Sequence, residues 1–100
     1  MEIRIEKENK VTTVHFAGRL DTPASQEVAK ELEPLLEDAS GTIILDCKEL
    51  NYISSSGLRI FLTLRKAAAA KGGEVIVQDI NDDIRQVFMM TGFLNLFEVR

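Results

Sequence analysis

Two short apolar runs, Thr42–Asp46 (TIILD) and Glu74–Gln78 (EVIVQ), flank a stretch with the residue spacing of an amphipathic helix. That order constrains the fold more than any other feature of the chain. The first run is rich in β-branched residues and has no alternation, which predicts a strand covered on both faces. Between the runs, Leu58, Phe61, Leu62, Leu64 and Ala68 give an apolar side to a helix over Gly57–Lys71, with Arg59, Arg65 and Lys66 facing elsewhere. Gly72-Gly73 ends that helix. A strand, a helix and a second strand in one sheet imply parallel pairing through a right-handed crossover.

The flanking segments extend this unit. Glu2, Ile3, Arg4, Ile5 and Glu6 alternate charged and apolar, and Glu8-Asn9-Lys10 is a polar turn. Val11–Ala17 alternates again, with Val14 and Phe16 on one face and Thr13 and His15 on the other, so an antiparallel hairpin is predicted with His15 at the surface. Thr22 is placed to cap a first helix, with Pro23 at its first position. Val28, Leu32, Leu35 and Leu36 form its buried stripe. Pro34 removes a backbone donor inside that stripe, so the helix kinks there or stops and restarts. Cys47–Ile53 reads as a loop. Asn81 caps a third helix, with Asp82 and Asp83 in its first turn, Ile84, Val87 and Phe88 on its apolar side and Gly92 as its stop. Met89 and Met90 read as core edge, and Phe93–Val99 as a last short strand. The order is β-β-α-β-α-β-α-β: an α/β fold, a mixed β-sheet with helices packed on it, in a single domain over residues 1–100.

Composition narrows the function. Twelve Lys and Arg against 16 Asp and Glu give a net charge of −4, which disfavours nucleic acid as a partner because phosphate binding needs clustered positive charge. One cysteine, Cys47, forms no internal disulfide and no multi-cysteine metal site, and reads as apolar filler. One histidine leaves little material for metal ligation or a Ser-His-Asp relay. No cofactor and no metal are expected. No apolar run reaches the ~20 residues of a bilayer span, and MEIRIEKENK lacks the apolar centre of a secretion signal. A cytoplasmic protein with no direct membrane insertion is expected. A nucleophile elbow, a phosphate-binding loop and a dinucleotide fingerprint are all missing, so no enzyme activity is expected.

Tyr52-Ile53-Ser54-Ser55-Ser56-Gly57-Leu58 is the most informative stretch. It lies between a buried strand and the start of a helix, where functional groups gather in open α/β sheets. The first helical turn also offers unpaired N–H groups and the positive end of the helix dipole, a favourable place for an anion. Ser54 reads as the N-cap. Ser55 follows it, within the turn that suits a phosphoryl group.

At these residues the chain resembles the STAS domains (sulphate transporter and anti-sigma factor antagonist), over essentially its whole length. The marks are Gly18-Arg19-Leu20-Asp21, Leu45-Asp46, Ser54-Ser55-Ser56-Gly57-Leu58, Gly72-Gly73 and Thr91-Gly92-Phe93, in this order. The anti-sigma factor antagonist branch opens its helix with an acid, two small residues and a glycine, the first serine after the acid being the phosphoacceptor. The resemblance puts that role on Ser55, with Ser54 standing where the acid usually lies. It implies partner contacts at Asp21, Thr22, Asp46, Ser54, Ser56, Gly57 and Arg59; Asp21 and Asp46 are expected near the same sheet edge, because each closes a strand running toward it. It further implies partner switching. The unphosphorylated domain, a monomer when free, binds an anti-sigma factor serine kinase and releases a sigma factor. Phosphorylation of Ser55 blocks docking without refolding the domain, and a metal-dependent serine phosphatase resets it. The alternative is a STAS adaptor subunit of a stress-signalling complex or a lipid-transport ATPase.

Overall fold

The computed structural model describes residues 1–100. The opening hairpin forms as expected from β1 (Glu2–Glu8) and β2 (Val11–Leu20), antiparallel with Ile3 opposite Phe16 and Ile5 opposite Val14. Asn9 turns the chain in the left-handed region at φ 55, a conformation asparagine tolerates. Three more strands follow in chain order, all parallel: β3 (Thr42–Ile53), β4 (Glu74–Gln78) and β5 (Glu98–Val99). The five-stranded sheet has the order β1-β2-β3-β4-β5.

Five helices connect the strands. They are α1 (Thr22–Glu31), α2 (Glu33–Glu37), α3 (Ser55–Ala70), α4 (Asp82–Thr91) and α5 (Phe93–Leu96). Pro34 resolves as a stop and restart: α1 ends at Glu31 and α2 begins at Glu33, with Pro34 in its first turn where no N–H is needed. Asn81 and Gly92 act as predicted. The Asn81 side chain accepts from the Ile84 N–H at 2.8 Å, and Gly92 closes α4 in the left-handed region at φ 81.

The helices' buried side chains join one core with Val14, Phe16, Ile43, Leu45, Cys47, Val75 and Val77, which alternate along their strands. The helices therefore cover one face of the sheet. This corrects the expectation that Thr42–Asp46 is covered on both faces: Ile44 and Asp46, on the other side of β3, are only half-buried. Aromatic rings fill the centre of the core. Phe61 lies 5.5 Å from Phe16, 6.2 Å from Phe88 and 6.4 Å from Phe97, between centroids.

Four further expectations are corrected. Cys47–Ile53 is strand, not loop. The register shifts twice, and each shift places one extra β3 residue opposite β2, so the buried residues Cys47, Leu50 and Ile53 fall three apart and not two. The tail is not one strand: Phe93–Leu96 is helical, with the Phe97 N–H donating to the Phe93 carbonyl, and only Glu98–Val99 pairs with β4. Phe93 and Phe97, four apart, both point into the core. Met89 and Met90 are exposed, not core edge. The cap of α1 is Asp21, not Thr22: the Asp21 carboxylate accepts from the Ala24 N–H at 3.0 Å, which leaves Thr22 at the first helical position and Pro23 at the second.

That assignment sets up a contrast. Asp21→Ala is expected to cost about 1 kcal/mol in urea denaturation, the usual cost of a lost N-cap, while Thr22→Ala costs a few tenths at most. A larger loss for Thr22→Ala would return the cap to the threonine.

Candidate functional site

Leu20 and Ile53 are register partners at the ends of β2 and β3, and the Ser54 N–H donates to the Leu20 carbonyl at 2.9 Å. The residues that follow, Asp21 and Ser54, are the N-caps of α1 and α3. Because neighbouring parallel strands lie about 4.8 Å apart, the two helices start side by side and run back together over the sheet. The serine triplet and the Asp21-Thr22 turn are thereby brought to one edge.

Each serine of the triplet has a different environment. Ser54 is 8% exposed, and its hydroxyl accepts from the Gly57 N–H at 3.1 Å, so it is the cap as predicted. Ser55 is exposed at the first position of α3, and Ser56 is half-buried. Gly57 is buried against the sheet. A Cβ there would stand 2.9 Å from side-chain carbons of both Leu20 and Ile53, so the absence of a side chain lets α3 approach the strands. Leu58 is buried in the core, as read from the sequence.

Between α1 and α3 runs a cleft of about 350 Å³. Thr22, Gln26, Ser56 and Arg59 line it, over an apolar floor that includes Leu32 and Ile60. Of the sequence-predicted residues, Asp21, Thr22, Ser54, Ser55, Ser56, Gly57 and Arg59 belong to this edge and its cleft.

Asp46 does not, and its expected position beside Asp21 is corrected. It lies within β3 opposite His15, five β2 residues before Leu20, roughly 16 Å along the strand at ~3.3 Å per residue. The β3 strand continues seven residues past Asp46 because the two bulges keep Leu50 and Ile53 facing the core. The Asp46 carboxylate meets His15 Nδ1 at 2.7 Å and accepts from the Lys48 N–H at 3.1 Å. His15 Nε2 lies 3.3 Å from Glu6, without hydrogen-bond geometry, and Glu6 pairs with Arg4 at 3.0 Å. The reading of His15 as a surface residue is thus corrected as well. It is half-buried and ties β2 to β3 through Asp46 on the sheet face that the helices leave open. Cys47 beside it is inert: burial, and then the charges of Asp46 and Asp79, push its thiol up to about 12.

One pair at the edge escapes sequence reasoning. The Arg19 guanidinium stacks 4.3 Å from the centre of the Tyr52 ring, and both side chains are exposed. Alternation in each strand points Arg19 and Tyr52 away from the core, but the pairing depends on the second bulge. No local signal brings them together. No helix of the chain is long and apolar enough to cross a membrane.

The STAS domain family model matches residues 2–100. An anti-sigma F factor antagonist of Paenibacillus polymyxa is 28% identical over 100 residues, covering 99% of this chain and 86% of the relative. An anti-sigma-B factor antagonist of Staphylococcus aureus is 26% identical over 99 residues, covering 99% of this chain and 92% of the relative. Among solved structures, the anti-sigma factor antagonist SpoIIAA in its unphosphorylated form superposes with a TM-score of 0.78 at 19% identity, covering 99% of this chain and 87% of that one. An anti-sigma-factor antagonist (STAS) domain protein of Planctomyces limnophilus superposes with a TM-score of 0.88 at 16% identity, covering 98% of this chain and 87% of that one. A match to the family model from Glu2 to Arg100, on a mixed sheet whose second and third strands lead into adjacent helix starts, places this chain in the STAS domain family.

Proposed function

We propose that this chain is an anti-sigma factor antagonist that works by partner switching. Its unmodified form binds an anti-sigma factor serine kinase through the edge where α1 and α3 begin, and so releases a sigma factor. Transfer of the γ-phosphoryl group of ATP to the Ser55 oxygen, with loss of the hydroxyl proton, ends that binding. A metal-dependent serine phosphatase restores it. The chain is a binding protein and not an enzyme.

The observation that carries this reading is the contrast between two adjacent serines. Ser54 is buried with its hydroxyl engaged as a cap, whereas Ser55 is exposed at the positive end of a 16-residue helix. A phosphoryl group on Ser55 adds about −1.5 to −2 charge at neutral pH. The N-terminus of α3 tolerates that charge in the free domain. An interface that buries it without a counter-charge does not. The antagonist relatives support the reading, as does a solved structure of SpoIIAA in a phosphorylated form.

The test is to incubate the protein with an anti-sigma factor serine kinase from the same organism and ATP, then map the product by mass spectrometry. A single phosphoryl group on Ser55 is the expected result. Modification at Ser54 would move the acceptor by one residue. Tight binding with no modification would replace the switch with a constitutive adaptor.

A further inference from the structure

Arg59 stands four residues after Ser55 on α3, about 40° around the helix and ~6 Å along it. Helical side chains lean toward the N-terminus of their own helix, which puts the turn that holds Ser55 within reach of Arg59, whose side chain lines the cleft toward α1. Both residues are exposed. The helix Ser55–Ala70 contains no Asp or Glu that could compete for the guanidinium.

The other cationic side chains of α3 are Arg65 and Lys66. Arg65 is committed, its Nε donating to the Leu96 carbonyl at 2.8 Å. Elsewhere Arg4 pairs with Glu6, Arg100 with Glu98, and Arg19 stacks on Tyr52. Arg59 takes part in none of the chain's ion pairs. It is also the one charged residue lining the cleft between α1 and α3.

We propose that Arg59 is the internal counter-ion of the phosphoryl group placed on Ser55, a positioning residue that folds back over the modified turn. The inference rests on Ser55 being the phosphoacceptor. It adds a second consequence to modification: the phosphoryl group brings negative charge and also withdraws the cation that the cleft presents to a partner. A guanidinium suits the role because its planar fork matches two phosphoryl oxygens at once, which an ammonium does not.

The experiment installs phosphoserine at position 55 during translation, so that no kinase is needed, and follows its phosphorus NMR signal through a pH titration. Wild-type, Arg59→Gln and Arg59→Lys chains are compared. With Arg59 in place, the titration midpoint is expected roughly half a pH unit lower than in Arg59→Gln, with Arg59→Lys between them. The Arg59 side-chain Nε–H signal should also shift in the phosphorylated chain. Thermal unfolding of the unmodified variants should match wild type, which separates a counter-ion from a structural residue. Superimposable titrations for wild type and Arg59→Gln would overturn the proposal. Failure of a kinase to label Ser55 would overturn the acceptor assignment, and the titration would still report on Arg59.

Discussion

Ser55→Asp is expected to weaken binding to an anti-sigma factor serine kinase by about 100-fold or more while leaving the domain folded. The two effects have opposite signs because they arise in different surroundings. In the free domain, a carboxylate at the first position of α3 meets unpaired N–H groups and the positive helix end, which favours it by about 0.3–1 kcal/mol. In a complex, the same charge is taken out of water, and an interface that supplies no cation makes this cost on the order of 3 kcal/mol. Near-ultraviolet circular dichroism and thermal unfolding should therefore match wild type, or show slight stabilisation, while calorimetric titration shows the loss. Ser55→Ala should bind like wild type and resist phosphorylation. Collapse of the fold in Ser55→Asp, or binding within a few-fold of wild type, would refute the assignment of the edge as the docking surface.

Phe61→Ala is expected to be among the most destabilising single changes, about 3–5 kcal/mol in urea denaturation. Phe61 is fully buried on the inner side of α3, and its ring meets Phe16 from the hairpin, Phe88 from α4 and Phe97 beside β5. Its removal leaves a cavity bordered by three elements that cannot all close on it. For a domain of 100 residues this corresponds to a fall in Tm on the order of 15 °C or more. The functional edge would feel the loss, because Phe61 holds the helix whose first residue is Ser55. A cost below about 1 kcal/mol would show that the aromatic cluster does not anchor α3.

Both variants probe a site whose parts were legible to different degrees. Ser54 and Asn81 were readable as caps because capping is local: a hydroxyl or amide oxygen reaches an N–H three residues on, and the sequence contains both partners. The same local logic misled at α1. Asp21 and Thr22 are both good caps, and the sequence favoured Thr22 through the proline that follows. The choice fell to Asp21 because β2 ends at Leu20, where its register with Ile53 stops. The segment Cys47–Ile53 was opaque for a related reason. Its buried residues recur every third position, which matches neither strand nor helix until two bulges are placed against β2.

Local chemistry written in the chain determined the parallel strands around an amphipathic helix, the hairpin, the caps of α3 and α4, and a hydroxyl run at a helix start. These follow from spacing, propensity and side-chain reach, all of which operate within a few residues. Only the tertiary structure decided that Asp21 stands beside the serines while Asp46 pairs with His15 on the open face, that the helices occupy one side of the sheet, and that Arg59 looks into a cleft shared with α1. Those outcomes depend on strand register, where one inserted residue shifts everything beyond it, and register is set by the packed core as a whole and not by any segment of it.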